Sequence, residues 1–504
     1  MKEKLLSELL RAAPEAVVQG GDPPIRDLVY DSRQARRGSL FFALEGVHTD
    51  GEKYISDAVA AGAAAVLARR EAPPSFDGAA YVRVPDPRAA MSRISAAMFD
   101  HPASRLKIVG VTGTDGKSST AYFIHQLLEA AGKKSGLLST VSFLSADTLE
   151  KNPYRQSTPE APIIHRALRE MLDNGKEYAV VEATSHGLSD RTMRLRDVDF
   201  DAAVLTNVTH EHLEFHGTWE NYLSDKTNLF RRLSIPRSAI KGCPAFGVAN
   251  ADDRSWDFVR RETPVPLVSY AVLAPEADLR ATDLRPDMTG TDFLLHDGKG
   301  RAPVRISLPG AFNVENVLAA AAAVGRLLGV SAVDLVPALE ALRGVRGRMS
   351  LVDRGQPFTV LVDYAHTPGS FARLFPMVRQ YTPGKVIAVF GSGGERDREK
   401  RPIQGEIAAR YSGLVILADE DPRGEDPRAL LEEIAAGCPG LRRGEELLII
   451  PDRREAIREA YRRARPGDTV LLLGKGHEAS IIGRDGPVPW DEIRVAAEIL
   501  EETE

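Results

Sequence analysis

The sequence predicts an α/β protein of three domains, and three observations support that prediction. The chain has 504 residues, enough for about two to four domains at roughly 150 residues each. From residue 106 onward, short apolar runs rich in β-branched residues alternate with helical patterns, which is typical of βαβ units and a parallel sheet. A glycine-rich loop, Gly113–Ser118, lies between one of these runs and a helical pattern. Such a loop predicts a binding site at the carboxyl edge of the sheet.

Residues 1–105 are predicted to form a small N-terminal α/β domain. Its predicted strands are 25–31 and 39–44, and residues 55–68 are predicted to form an alanine-rich helix that runs into a short strand. The segment His101–Ser104 is predicted to link this domain to the next.

Two further domains are predicted, a central domain of residues 106–346 with a mostly parallel sheet and a C-terminal α/β domain of residues 347–504. Gly329 ends a predicted helix over 314–328, and Ser331 is predicted to cap the next one. That helix is predicted over 333–342, a last helix over 490–500, and strands over 108–111, 178–181, 202–205, 359–362, 386–390, 414–417 and 470–473.

Composition excludes several classes of protein. The net charge of −6 does not indicate a nucleic-acid partner. Only two cysteines occur, Cys243 and Cys438, and they lie far apart in sequence, as expected for a reducing cytoplasm. The N-terminus lacks a signal-peptide core, and the apolar stretches are too short or too interrupted to span a bilayer. We therefore expect a cytoplasmic protein with no nucleic-acid partner and no membrane partner.

The glycine-rich loop Gly113–Ser118 is predicted to bind phosphate. Backbone N–H groups and the dipole of the following helix would face the anion, Lys117 would neutralise its charge, and Ser118 is a candidate Mg²⁺ ligand. Val111 stands where the standard P-loop carries glycine, so the loop is a variant. The alternative is a glycine turn with a solvated lysine.

Polar residues also follow other predicted strands of the central domain. Glu182 directly follows an apolar run, where a carboxylate is well placed to hold a metal near the phosphate loop, although a surface glutamate is the alternative. Three histidines, His210, His212 and His216, come after the next strand, and for them both metal binding and a structural role stay open.

Lys226 is out of place in its predicted helix. A buried lysine is unfavourable unless it is paired or neutralised; the alternative is that its stem packs while its ammonium reaches solvent. The residues that share its apolar face are Trp219, Tyr222, Leu223, Leu229 and Phe230.

The last predicted domain begins with a cationic side chain that could reach a ligand. Arg348 lies in Gly347-Arg-Met349 at the domain boundary. Asp363 follows a buried strand, where an acid can accept from a ribose hydroxyl. A second glycine-rich loop, Gly391–Arg398, is a weak signal by itself.

Together these motifs resemble those of the Mur ligases, and within that family the MurE type. They occur in the family's order along nearly the whole chain, whereas folylpolyglutamate synthases share the loop but not this N-terminal unit or this set. The motifs are Gly113–Ser118, Glu182–Leu188, Glu211–Gly217, Asn250–Asp253, Phe312–Asn316, Gly347–Met349, Asp363–Pro368 and Gly474–Glu478.

The resemblance implies an N-terminal domain that binds the UDP-muramoyl substrate, a central P-loop ATPase domain and a C-terminal Rossmann-like domain that binds an amino acid. It implies a ligase of peptidoglycan precursor synthesis that uses ATP and Mg²⁺, and we expect a monomer. ATP would phosphorylate the D-Glu γ-carboxylate of UDP-MurNAc-L-Ala-D-Glu, and the amine of a diamino acid would attack the acyl phosphate. The protein would act by positioning and charge neutralisation.

The resemblance also assigns roles by matched position. Lys226 corresponds to a carbamylated lysine of the family, which would explain a lysine on an apolar face. The catalytic and Mg²⁺-binding candidates are Lys117, Ser118, Glu182, His212 and Lys226 as its carbamate. The ATP-binding candidates are Gly113, Thr114, Asp115, Gly116, Lys117, Ser118, Ser119, Asn313, Arg348 and Asp363.

The candidates for the UDP-muramoyl dipeptide come from the first two domains. Gln156 and Thr184 depart from the family pattern, and the segment after Leu188 is longer than usual, so the substrate-binding arginine is either Arg191 or Arg194. The other candidates are Ser32 at the uridine, and Ser157, Thr158 and Ser185 at the dipeptide.

The identity of the added amino acid depends on Glu420-Asp-Pro-Arg423, where family members that use meso-diaminopimelate usually carry Asp-Asn-Pro-Arg. Arg423 favours diaminopimelate, because a guanidinium pairs with a distal carboxylate in a bidentate way. Asp421 repels that carboxylate and favours the bare ammonium of lysine or ornithine. The other matched contacts are Arg396, Pro422, Gly474 and Glu478.

We therefore expect a MurE-type ligase for meso-diaminopimelate. The alternatives are the same reaction with lysine or ornithine, another amide ligase such as a folylpolyglutamate synthase, and a P-loop binding protein without ligase activity.

Overall fold

A computed structural model describes residues 3–46, 49–74, 76–154, 156–209 and 213–502. Contacts between Cα atoms divide the chain into two compact units. The first contains Met1–Leu279 and Ala319–Ala332, and the second contains Arg280–Leu318 and Val333–Glu504. Each unit is described here by itself.

The N-terminal part of the first unit is a five-stranded sheet with the order β2-β7-β6-β5-β4. Its inner strands are parallel, and only β2 pairs in the antiparallel sense. The predicted strand 25–31 is in fact two short strands, and the predicted linker contains a 3-10 turn at Pro102–Ser104. The elements are β1 (Lys4–Leu5), α1 (Leu6–Leu10), β2 (Val17–Gln19), β3 (Pro24–Ile25), β4 (Asp27–Val29), β5 (Ser39–Phe42), α2 (Ile55–Ala60), β6 (Ala65–Ala68), β7 (Ala80–Arg83) and α3 (Pro87–Met98).

The first unit continues with a second sheet, whose strands within this unit have the order β11-β10-β9-β12-β8-β13-β14-β15. The six strands from β9 to β15 are parallel, which confirms the predicted mostly parallel sheet. The elements are β8 (Lys107–Thr112), α4 (Lys117–Ala130), β9 (Ser135–Leu138), β10 (Ser142–Leu144), β11 (Glu150–Lys151), α5 (Ala161–Asp173), β12 (Tyr178–Glu182), α6 (Ser185–Leu188), β13 (Ala202–Leu205), α7 (Leu213–His216), α8 (Trp219–Arg231), α9 (Ile235–Ile240), β14 (Phe246–Asn250), α10 (Trp256–Glu262) and β15 (Leu267–Ala271).

An antiparallel meander and two helices follow: β16 (Leu279–Pro286), β17 (Thr291–His296), β18 (Arg301–Ile306), α11 (Ala311–Leu328) and α12 (Val336–Glu340). The predicted helix over 333–342 is wrong in its first part, where residues Val333–Leu335 form a 3-10 turn and Leu335, not Ser331, is the N-cap of α12. Pro337 explains the difference, because it lacks the N–H that an α-helix from 333 would need. Helix α11 is long and apolar enough to cross a membrane by composition alone, but 72% of it is buried inside the protein.

The C-terminal domain is a six-stranded sheet with the order β19-β20-β24-β21-β22-β23, parallel from β20 to β23. Separate apolar clusters cover its two faces, so the predicted Rossmann-like architecture is confirmed. The elements are β19 (Ser350–Leu351), β20 (Thr359–Asp363), α13 (Pro368–Tyr381), β21 (Val386–Phe390), α14 (Lys400–Tyr411), β22 (Leu414–Leu417), α15 (Pro427–Ala435), β23 (Leu447–Ile449), α16 (Arg453–Arg463), β24 (Thr469–Leu473), β25 (Ser480–Gly483), β26 (Gly486–Pro489) and α17 (Glu492–Glu502).

A buried ion pair joins the last helix to this sheet. Arg453 and Glu492 lie 2.6 Å apart, and their side chains are 1% and 0% exposed. The Arg453 guanidinium also donates to the carbonyls of Asp419, at 3.2 Å, and Leu473, at 2.7 Å. The pair therefore fixes the backbone at the carboxyl ends of β22 and β24.

Replacing Arg453 by Met should destabilise the protein by about 3–5 kcal/mol, because the Glu492 carboxylate would stay buried without its cation. Urea denaturation measures the loss. Arg462→Met is the matched control, since Arg462 is 67% exposed and pairs with Glu459 at the surface, where such pairs contribute at most about 1 kcal/mol. Equal losses in the two variants would contradict the importance of the buried pair.

Candidate active site

Three neighbouring parallel strands bring the predicted central residues to one edge of the sheet. Strand β8 lies between β12 and β13 and runs parallel to both. The loop Gly113–Ser118 follows β8, Glu182 ends β12, and Asn207 follows β13. The polar residues that follow these three strands therefore lie at the same edge of the sheet.

The loop requires glycine where it leaves β8. Gly113 has a φ of +148°, and a Cβ on it would lie 1.8 Å from Thr206 Oγ1. Gly116 has a φ of +82° and is the N-cap of α4, whose first residue is Lys117. The loop thus ends at the N-terminus of a long helix, where backbone N–H groups attract an anion.

Residues after β13 hold the loop in place. Asn207 Oδ1 accepts from the Asp115 N–H at 3.0 Å, and the Asn207 carbonyl accepts from the Thr114 N–H at 2.8 Å. Thr206 Oγ1 donates to the Asp115 carbonyl at 2.6 Å. Lys117 Nζ donates to the Thr114 carbonyl at 2.7 Å, so the lysine folds back over the loop. Its ammonium is therefore held beside the backbone that would surround a phosphate.

Glu182 supplies a buried carboxylate beside this loop. It is 1% exposed and accepts hydrogen bonds from Ser118 Oγ at 2.9 Å, from Thr140 Oγ1 at 2.7 Å and from the Thr140 N–H at 2.8 Å. Two hydroxyls and a carboxylate therefore form an oxygen-rich cluster next to the helix N-terminus, and a surface role for Glu182 is excluded.

Lys226 is buried and paired with the loop. It is 1% exposed, and its Nζ donates to the Gly113 carbonyl at 2.7 Å and lies 4.2 Å from the centroid of the Tyr222 ring. The alternative in which the ammonium reaches solvent is therefore wrong. The Tyr222 hydroxyl in turn lies 3.1 Å from Thr114 Oγ1, so helix α8 contacts the loop at two points.

Of the three candidate histidines, His210 and His212 lie outside the described residues. His216 is buried, and both of its ring nitrogens are used: Nδ1 lies 2.8 Å from Asp225 Oδ2 and Nε2 lies 3.0 Å from Ser185 Oγ. This arrangement favours a structural role for His216, which fixes the hydroxyl of Ser185.

The structure distinguishes the two arginines proposed for the dipeptide. Arg194 donates to the Thr158 carbonyl at 2.9 Å and pairs with Glu160 at 2.9 Å. Thr158 Oγ1 donates to the Glu182 carbonyl at 2.9 Å, so Arg194 belongs to the same group of residues as the loop. Arg191 is exposed and its guanidinium donates to the Phe215 carbonyl at 2.5 Å.

The remaining dipeptide candidates are more scattered. Ser185 is 1% exposed and lies three residues after Glu182. Ser157 is half-buried beside Thr158. Ser32 lies in the N-terminal domain, in the 3-10 turn Ser32–Gln34, which Asp31 caps.

The predicted nucleotide contacts of the second unit form a turn fixed by Asp363. Its two carboxylate oxygens accept from the Met349 and Ala365 N–H groups, each at 2.7 Å. Burial raises the pKa of Asp363, against the influence of Arg348. The Arg348 guanidinium stacks 4.6 Å from the centroid of Tyr364. Asn313 is buried and donates to the Pro309 carbonyl at 2.8 Å.

The predicted amino-acid residues of the C-terminal domain do lie together. Gly474 packs on Glu420, since a Cβ at 474 would lie 2.5 Å from Glu420 Oε2. Burial raises the pKa of Glu420 and of Glu478. Arg423 has a φ of +56° and is held by its N–H, which donates to the Ile482 carbonyl at 2.9 Å. Pro422 and the exposed Arg396 complete the set.

Sequence reasoning missed three residues of these sites, Thr140, Asn207 and Lys475. Lys475 is fully buried and its Nζ lies 2.8 Å from Asp421. Its signal was present, because it lies inside the matched motif Gly474–Glu478. Thr140 carries no signal, since it lies in a segment without a motif.

Comparison with known proteins decides the family. Models of the "Mur ligase family, catalytic domain", the "Mur ligase middle domain" and the "Mur ligase, glutamate ligase domain" match residues 24–99, 111–324 and 347–476. A UDP-N-acetylmuramyl-tripeptide synthetase of Roseiflexus sp. is 51% identical over 490 residues, 95% of each chain. The chain belongs to the Mur ligase family.

Two further Mur ligases resemble it along their whole length. A UDP-N-acetylmuramoyl-L-alanyl-D-glutamate--2,6-diaminopimelate ligase of Geobacillus kaustophilus is 40% identical over 500 residues, 99% of each chain. The solved structure of a ligase with the same printed name is 28% identical, with a TM-score of 0.65, covering 98% of this chain and 99% of that one. The expectation of a MurE-type, ATP-dependent Mur ligase is confirmed, and a folylpolyglutamate synthase is not favoured. The predicted domain boundaries and site residues stay predictions.

In this Mur ligase, Lys117→Ala should abolish turnover and leave the fold intact. Removing a cation that stabilises the transferred phosphoryl group lowers the rate by about 10²-fold or more. ADP release measures activity and thermal unfolding measures the fold. Lys134→Ala is the control, since Lys134 is exposed beyond the other end of α4. Near-normal ADP release by Lys117→Ala would contradict the role of the loop.

Proposed function

We propose that the protein adds a diamino acid, meso-diaminopimelate, to the D-Glu γ-carboxylate of UDP-MurNAc-L-Ala-D-Glu, with ATP as the phosphoryl donor. The observation that carries the proposal is the loop Gly113–Ser118 held against Glu182 and Lys226. The predicted phosphate-binding loop, the buried Glu182 carboxylate and Thr158 lie at one edge of one sheet. We also propose that the enzyme is a cytoplasmic monomer.

On the ATP side, the chain supplies donors rather than reacting groups. The N–H groups at the start of α4 and the Lys117 ammonium lie where a β- or γ-phosphate would be bound. Positioning the phosphate in line with the γ-carboxylate accounts for most of the catalysis in such reactions. The acyl phosphate forms with release of ADP, and the amine of the diamino acid then displaces phosphate.

The cluster of Ser118, Thr140 and Glu182 fits a Mg²⁺ ion. Magnesium prefers oxygen ligands, and in nucleotide sites one or two protein groups join the phosphates and water around it. Ser118 and Glu182, 2.9 Å apart, are the groups of the described chain that would hold it. His212 and Lys226 as its carbamate are proposed for a second ion. The metal would neutralise phosphate charge.

On the dipeptide side, the contacts favour Arg194 over Arg191. Arg194 lies against Thr158, whose hydroxyl is bonded to the last residue of β12. Ser185, fixed by His216, lies one helical turn from the same strand end. A carboxylate of the D-Glu residue placed between them would lie near the loop that binds the γ-phosphate.

The choice of diaminopimelate rests on Arg423. Among the residues that the structure describes, no carboxylate pairs with its guanidinium, and its Nε is buried without a hydrogen-bond partner. Asp421 pairs instead with Lys475. The two motif residues therefore do not cancel each other, and Arg423 is available for a distal carboxylate.

The assay that tests the function is ADP release with the UDP dipeptide and each of meso-diaminopimelate, lysine and ornithine. Release should require the dipeptide and an amino acid together. Binding of ATP with no release under any combination would indicate a P-loop binding protein and contradict the proposal.

Lys226 should be carbamylated in the active enzyme. A carbamate keeps one N–H for the Gly113 carbonyl and turns the buried cation into an anion that suits a metal. Carbon-13 NMR after labelling with carbon-13 bicarbonate should show a carbamate signal that is absent from Lys226→Ala. That variant should lose most activity, and short carboxylic acids should partly restore it. An active enzyme without the signal, or a variant that acids do not rescue, would refute this assignment.

Arg423→Ala should lower the preference for diaminopimelate over lysine. Losing a buried charged partner typically costs about 2–5 kcal/mol, and here only diaminopimelate uses the lost charge. The measurement is the ratio of kcat/KM values for the two amino acids. Arg484→Ala is a control, since its guanidinium is exposed and donates to the Gly424 carbonyl at 3.4 Å. A wild type that prefers lysine, or an unchanged ratio in Arg423→Ala, would show that Arg423 is not the selector.

A further inference from the structure

Lys475 is a fully buried cation between two acids of the amino-acid site. Its side chain is 0% exposed, and its Nζ lies 2.8 Å from Asp421 Oδ1 and 2.5 Å from Glu478 Oε2. It therefore has no access to a bound amino acid. Any influence of Lys475 on the substrate has to pass through the charges of its partners.

A backbone hydrogen bond fixes Asp421 in the position in which it pairs with Lys475. It is 7% exposed, and the oxygen that contacts Lys475 also accepts from the Ile482 N–H at 2.8 Å. The same Ile482 contributes its carbonyl to the N–H of Arg423. The backbone of Ile482 in β25 thus holds both Asp421 and Arg423, and it holds them in separate positions.

The surroundings are rich in carboxylates. Glu420 is 8% exposed. Burial raises its pKa, and the nearby charges of Lys400 and Lys475 oppose that rise only in part. The pKa of Glu478 is raised by burial and by Asp421, and lowered by Lys475. Without Lys475, Asp421 would be a buried charge beside two other acids, and it would repel any further carboxylate.

We propose that Lys475 is a specificity-determining residue: by neutralising Asp421 it lets Arg423 select a distal carboxylate on the incoming amino acid. The inference rests on the proposed function. Lys475 acts at a distance, through the field at the pocket, and touches no substrate.

Four proteins test the proposal: the wild type, Lys475→Met, Asp421→Asn and the double variant. The readout is the ratio of kcat/KM for meso-diaminopimelate to that for L-lysine. Lys475→Met adds one net negative charge and should lower the ratio about tenfold or more, the size typical of a close buried charge pair. Asp421→Asn adds one net positive charge and should raise the ratio. The double variant removes both charges and should return close to the wild-type ratio.

The outcomes separate an electrostatic role from a structural one. If Lys475 only supports the fold, both kcat/KM values fall together and the ratio stays constant, which overturns the proposal. A double variant whose ratio stays as low as that of Lys475→Met overturns it too, because removing the Asp421 charge would then not offset the loss of the Lys475 charge. Lys385→Met, an exposed lysine of the same domain, is the control and should leave the ratio unchanged.

Folding and function are checked separately. If Lys475→Met does not fold, Asp421→Asn and the double variant still decide: a ratio that does not rise in the first, or stays raised in the second, overturns the proposal. If the proposed function itself is wrong, the wild type releases no ADP with any of the amino acids, which is a different result from a changed ratio. A wild type that prefers lysine refutes the choice of diaminopimelate, while the direction of the shift in Lys475→Met still tests Lys475.

Discussion

The candidate active site of the central domain depends on the close approach of Gly113 to Thr206. Only a residue without a Cβ can pass the threonine hydroxyl at this distance and keep its positive φ. With the backbone in this position, the Gly113 carbonyl faces Lys226 and accepts a hydrogen bond from it. The Asp115 N–H, two residues on, donates to Asn207 Oδ1. The loop Gly113–Ser118, the buried Lys226 and strand β13 are therefore all connected through the position of Gly113. The order of the strands β12, β8 and β13 makes the approach possible, because it sets the two strand ends side by side.

Charge is managed differently in the two parts of the enzyme. Near the loop, the buried Nζ of Lys226 donates to the Gly113 carbonyl and lies against the ring of Tyr222, and the proposed carbamylation would reverse the charge at this point. In the C-terminal domain, acids and bases alternate in space: Lys475 contacts Asp421 and Glu478, and burial raises the pKa of Glu420 against the influence of Lys400. In the second arrangement Asp421 is paired with Lys475, and among the described residues no carboxylate pairs with the Arg423 guanidinium.

The sequence predicted the parts of the protein in which local pattern decides the structure. Continuous apolar runs gave the central strands, and β13 has the predicted bounds, Ala202–Leu205. The meander of β16 to β18 was not predicted, since Leu279–Pro286 alternates apolar with charged residues and lacks a buried run. Glu182 and Lys226 were identified as site residues because their chemistry contradicts their apolar neighbours. The partner of Asp421 could not be identified in this way, because Lys475 lies 54 residues further along the chain and only the sheet brings them together.

The buried Arg453 has a consequence for how substrate preference can change over time. Its guanidinium donates hydrogen bonds to the carbonyls of Asp419 and Leu473, from the side of the sheet that faces the last helix. These two residues immediately precede Glu420 and Gly474. The backbone under the pocket is therefore held by a group that takes no part in recognition. We expect substitutions at positions 421, 423 and 475 to leave these two backbone contacts in place, because neither contact involves those side chains. The contacts that fix the backbone are thus separate from the side chains proposed to select the amino acid. A change of substrate preference would then require substitutions only among the selecting side chains.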